Sequence, residues 1–194
     1  MKTIISVSVV VFLFLFSGKV NSQVSSKCKE IEWKNGSEAA KKIMKSNFYY
    51  DALDSWSPFG SDMGHDAYYS YCHWKKEHLN KDIRKFMESE LIDLGYPGFD
   101  LALTSNDSEK LKEIVNSMPN QYVELNAINN TVISLAFAQL FLEGKVDPKV
   151  KEWAEAAFSR ESMYLEFWDS DKERMKEREE RMIQLLNDLR KSKS

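Results

Sequence analysis

The segment from Asn120 to Glu143 constrains the fold of this chain most. Val123, Leu125, Ile128, Val132, Ile133, Leu135, Phe137, Leu140 and Phe141 fall on several faces of a helix rather than along one stripe. A helix that is apolar all round has to be enclosed by other elements. The remaining chain offers only helices for that purpose. Period-two alternation is nearly absent, and the 7 glycines and 4 prolines fall where helices should stop. The sequence predicts an all-α fold: a single compact multi-helix domain with αα-hairpins, stacked around residues 120–143.

The flanking helices are read from their caps. Asn35 and Ser37 are candidate N-caps, with Glu38 placed for a capping box, and that helix is expected to run to about Trp56, where Ser57-Pro58-Phe59-Gly60 ends it. Ser61 or Asp62 starts the next, carrying Tyr68, Tyr69, Tyr71 and Trp74. Asn80 or Asp82 breaks it and caps a continuation through Ile83, Phe86, Met87, Leu91 and Leu94, stopped by Gly95-Tyr96-Pro97-Gly98. Asn106 with Glu109 reads as the capping box of a short helix closed by Pro119. After the central segment, Gly144 suits a C′ position and Asp147-Pro148 an N-cap and first helical residue, which makes a tight αα-hairpin. Ser170 with Glu173 is expected to cap the last helix, whose Met175, Met182, Leu186 and Leu189 form a narrow apolar stripe.

The N-terminus carries an address. Lys2 precedes an unbroken apolar run, Ile4 to Phe16, and a short polar segment follows to Ser22. This is the order of a secretory signal peptide. The run spans about 20 Å as a helix, short of a ~30 Å hydrocarbon core. Small residues at Val20-Asn21-Ser22 place cleavage between Ser22 and Gln23. The expected organisation is a signal peptide over 1–22 and one helical domain over 23–194, secreted or periplasmic. No later uninterrupted apolar run has spanning length, so no stable membrane insertion is expected after cleavage. Cys28 and Cys72 are the only cysteines. In an oxidising compartment they should pair, tying the N-terminal tail to the aromatic helix. Three N-x-S/T sequons begin at Asn35, Asn106 and Asn129. They matter only in a eukaryotic source, Asn129 lies in an apolar helix where a glycan fits poorly, and none of the three informs the reading of function.

Composition narrows the function classes. Loss of Lys2 and Lys19 with the signal takes the formal charge from −3 to −5. An acidic domain does not suit nucleic acid or an anionic membrane as its main partner. No Gly-rich phosphate loop, strand-turn-helix nucleophile elbow or cofactor motif is present, so no cofactor and no catalytic residues are expected. His65, His73 and His78 cluster with Cys72 and Glu77, which raises a metal-dependent hydrolase as the alternative. His73 and His78 are five apart and diverge by about 140° on a helix, which is poor spacing for one ion.

Two segments resemble a bacterial family known as domain of unknown function 4259. Its members open a helix with a W-G-x-F-x-[ND]-D-x-A-like signature, and Trp56-Ser57-Pro58-Phe59-Gly60-Ser61-Asp62-Met63-Gly64 is similar in its Trp, Phe and Asp. Ser57 replaces the usual Gly, and Gly64 stands where Ala is the rule. Gly144-Lys145-Val146-Asp147-Pro148-Lys149-Val150-Lys151 resembles the family's later turn, with Trp168 and Leu185, Leu186 and Leu189 following. The likeness covers about half of the mature chain. It implies a helical domain of the interaction or antitoxin type, with no established activity.

The expectation is therefore a protein-binding module, such as an immunity protein against a toxin. Its candidate contact residues are Trp56, Phe59, Tyr68, Tyr69, Tyr71 and Trp74, each of which is also a core candidate. A structural envelope protein is the third reading.

Overall fold

The described residues of the computed structural model are 28–165 and 171–194. The signal-peptide reading, the start of the mature chain, Trp168 and the Ser170 cap all lie outside them. Seven α-helices follow in order: α1 (Glu38–Ile43), α2 (Asp62–Glu77), α3 (Ile83–Asp93), α4 (Ser108–Ser117), α5 (Tyr122–Glu143), α6 (Pro148–Met163) and α7 (Lys172–Lys191). Among the described residues there is no strand. The fold is all-α.

The 120–143 segment is the enclosed helix its composition requires. α5 buries residues around its whole circumference, from Tyr122 to Phe141. By length and composition it could cross a bilayer, yet 83% of its most apolar window is buried inside the protein. α2 and α6 both pack on it. Gly144 takes the left-handed conformation (φ 77°) that ends α5. The Asp147 side chain accepts from Lys149 N–H at 2.8 Å, and Pro148 sits in the first turn of α6. The expected hairpin forms.

α2 turns Gly64, Ala67, Tyr68, Tyr71 and Cys72 inward. Its start is tied closely to the preceding loop. A Cβ on Gly60 would lie 1.9 Å from the Asp54 carbonyl oxygen, and one on Gly64 2.5 Å from that of Pro58. An alanine at 64, the rule in the resembled family, does not fit this packing. Cys28 and Cys72 form a disulfide with Cα atoms 6.0 Å apart. The Tyr68 hydroxyl donates to the Lys29 carbonyl at 2.6 Å, so the N-terminal strap is fixed twice to α2.

Several boundaries differ from expectation. The first helix ends at Ile43 rather than near Trp56. Residues 44–61 instead make a 3₁₀ turn (Asn47–Tyr50) and tight turns. Side chains there compete with the helical backbone: Ser46 accepts from Phe48 N–H, Asp51 from Leu53 N–H, and Asp54 from Trp56 N–H. Ser37 alone caps α1, and its hydroxyl also donates to the Leu140 carbonyl at 2.7 Å. The capping box before α4 is Thr104 with Asp107, two residues earlier than expected. Asp171 caps α7 by accepting from Glu173 N–H and Arg174 N–H.

Candidate binding site

The six candidate contact aromatics do not form one surface. Phe59, Tyr68 and Tyr71 are core side chains. The first two sit edge-on to each other at 5.4 Å and both pack on Phe141. The Tyr71 hydroxyl donates to Glu143, and burial, then that carboxylate, holds its pKa above the usual tyrosine range. Their inward turn follows from α2 lying along α5. Trp56, Tyr69 and Trp74 are half-buried. Trp56 lines a cavity with Asn126, Asn130 and Arg178, whereas Trp74 packs on Tyr71, Phe86 and His78. Tyr69 lies beside His65 and Tyr68.

The histidines are no more convergent. His65 and His73 are exposed, and the His78 Nδ1 lies 3.0 Å from the Trp74 carbonyl on its own helix. Among the described residues no three His, Cys, Asp or Glu side chains are placed to share a metal ion.

A different place has the shape of a binding site. A cleft of about 510 Å³ opens between α3, the turn that follows it and α6. Its volume is within the range of ligand pockets. α3 contributes Met87, Leu91 and Ile92, the turn contributes Phe99 and Leu101, and α6 contributes Trp153. Most of this lining is itself buried, but Ile92 is 61% exposed at the mouth. The turn is well defined: Gly95 (φ 86°) ends α3 in a Schellman motif, with Tyr96 N–H donating to the Leu91 carbonyl at 2.8 Å and Gly95 N–H to that of Ile92 at 3.0 Å. Arg84, Glu88 and Asp100 stand at the rim. Arg84 is held by Asp82 through Nε at 2.8 Å, and Asp100 lies 3.9 Å from Lys110. Glu88 has no ion pair among the described residues.

Behind the cleft wall lies the most polar part of the interior. Arg160 of α6 is fully buried. Its Nη1 donates to the carbonyls of Leu101 at 3.0 Å and Leu103 at 2.6 Å, and its Nε to Asn129 Oδ1 at 2.8 Å. The guanidinium also faces the Phe99 ring at 5.4 Å. Burial lowers its pKa to about 10, against the opposing pull of Glu161 and Asp100. The neighbouring Glu161 accepts from Asn129 and Asn126 on α5, from the Tyr122 hydroxyl, and from Arg178 on α7 at 3.0 Å. One arginine thus fixes the turn that walls the cleft, and one glutamate joins α5, α6 and α7.

Reading the sequence missed both groups. The polar interior had a visible signal, because Asn126, Asn129 and Asn130 interrupt an otherwise apolar helix. Ile92 had one too, as a second large aliphatic residue directly after Leu91 and off the core stripe. Trp153 and Phe99 had none, because only the fold brings them beside α3.

Comparison with known proteins finds no match: no family model, no curated protein and no solved structure matches the chain.

Proposed function

We propose that this is an exported helical binding module that grips a partner protein at the α3–α6 cleft, as an immunity protein grips a toxin. The observation that carries the reading is the cleft itself: an apolar floor open to solvent at Ile92, on a domain whose other large aromatics are mostly spent in the core. Exposed apolar concavities of this kind mark contact sites, and an anchor side chain entering one contributes most of a typical interface's energy. The rim selects the anchor's neighbours. Glu88 is the rim carboxylate without a close ion pair, only the more distant pull of Arg84 acts on it, and the chain is acidic overall, so a large apolar residue flanked by Lys or Arg fits best. Export is supported by the apolar run at Ile4–Phe16 and by the Cys28–Cys72 disulfide, which persists in oxidising compartments.

The test is a peptide panel in which a large apolar residue is flanked either by Lys or by Glu, titrated against the protein with backbone amide shifts as the readout. Lys-flanked peptides should bind, shifting amides of α3 and residues 97–101. Glu88→Lys should reverse the preference. Equal binding of both sets, or binding indifferent to Ile92→Ser, rejects the cleft as the contact site.

A further inference from the structure

We infer that this chain matures along an export route that forms disulfides but does not glycosylate N-x-S/T sequons, that is, a bacterial-type envelope rather than a eukaryotic secretory pathway. The inference rests on the proposal that the chain is exported. What carries it is the placement of one sequon inside the protein.

Asn129-Asn130-Thr131 is a full sequon with threonine at its third position. Sequon glycosylation forms a bond from the asparagine Nδ2 to the first carbon of a sugar. A lipid-pyrophosphate-linked oligosaccharide donates that sugar, its bond to the pyrophosphate breaks, and one amide proton is lost. The product is bulky, hydrophilic and stable only at a surface. The transfer acts on the extended chain as it enters the compartment, so the final fold does not protect the site. Asn129 is 0% exposed in the folded protein. Its Nδ2 donates to Glu161 Oε1 at 2.7 Å, and its Oδ1 accepts from Arg160 Nε at 2.8 Å. A sugar on Nδ2 would have to sit between α5 and α6, where Arg160 and Glu161 already fill the space. A glycan at Asn129 and this fold are incompatible.

The other two sequons sharpen the point. Asn106 is exposed on the turn before α4, and Asn35 lies at the surface with its Nδ2 on the Glu30 carbonyl at 3.0 Å. Either can carry a glycan without disturbing the core. The conflict is confined to Asn129. The disulfide persists in an oxidising compartment, and the walled-in Asn129 reaches this fold only if it escapes sugar transfer there, which is assured where the transferase is lacking. Both conditions hold in a bacterial envelope.

The test produces the full chain in two hosts, one exporting to a bacterial periplasm and one secreting through a eukaryotic pathway. Glycan occupancy is read by peptide mass, the disulfide by intact mass, and folding by the yield of soluble product. Wild type from the periplasm should be folded, disulfide-bonded and unmodified. Along the eukaryotic route it should carry a glycan at Asn129 and be lost from the medium. Thr131→Val removes the sequon while leaving the Asn129 side chain in place; Thr131 donates only to the Ala127 carbonyl within its own helix. This variant should fold in the periplasm and restore eukaryotic secretion, whereas Ser108→Ala at the exposed sequon should restore nothing. Wild type secreted from the eukaryotic host as well as Thr131→Val, with or without a glycan at Asn129, overturns the inference. Retention in the bacterial cytosol with residues 1–22 attached overturns its export premise instead, and intact mass tells the two failures apart.

Discussion

Two regions meet at residues 99–103 and are built in opposite senses. On one side, the α3–α6 cleft is apolar and open, with Ile92 standing in solvent. On the other, the Arg160–Asn129–Glu161 cluster is polar and closed. Each inverts the usual distribution of side chains, and the two inversions mean different things. A buried charge whose hydrogen bonds are mostly met is held in one geometry and fixes how helices dock. An uncovered apolar concavity leaves apolar surface in water, as contact sites do. The comparison gives architecture to the first region and, under the proposed function, contact to the second.

That division can be broken by mutation. Arg160→Ala orphans the Asn129 oxygen and two turn carbonyls, and should cost about 3–5 kcal/mol in chemical denaturation. A loss below ~1 kcal/mol would show that the polar cluster does not hold the fold together. The disulfide offers a scale for that loss. Replacing Cys28 and Cys72 by serine opens a loop of 44 residues' separation and should cost about 3–4 kcal/mol in the same measurement.

The cleft should behave in the opposite way. Ile92→Ser should leave folding stability within ~0.5 kcal/mol, as expected for an exposed position. It should weaken capture of an apolar, Lys-flanked peptide about tenfold, equivalent to ~1.4 kcal/mol. A variant that loses stability without losing binding would place Ile92 with the architecture and dissolve the contrast.

The smallest effect concerns a charge belonging to neither region. Glu90 of α3 is half-buried, and burial, then Asp93 and Asp66, pushes its carboxyl up to about 7. The folded state therefore holds a proton that the unfolded chain releases from about pH 4.5 upward, so stability falls as pH rises from there towards 7. Glu90→Gln should be more stable than wild type by ~1 kcal/mol above pH 7, after discounting for solvent screening. The two should converge below about pH 4.5, as followed by thermal melts across that window.

Much of the molecule is legible without coordinates wherever a single local cause suffices. The Gly144–Asp147–Pro148 hairpin needs only a left-handed glycine, a capping carboxylate and a proline in the first turn. The helical start at Ser61 and the stop at Gly95 are equally local. The stretch from Met44 to Gly60 is not legible in this way. Helical propensity favours continuation there, and three Ser and Asp side chains outcompete it by bonding their own backbone. The packing of Gly60 and Gly64 against carbonyls of the same loop then stabilises the result.

The order of residues settled the helical class, the central place of α5 and the pairing of the two cysteines, because each follows from periodicity, capping or count. Which aromatics face inward, where the cleft opens and which asparagine is walled in depended on tertiary contacts. Phe99, Trp153 and Ile92 become neighbours only after α3 and α6 dock, and Arg160 finds its carbonyls 57 to 59 positions away. Long-range contacts of that kind have no local signature, since the chain that makes them is silent until it folds.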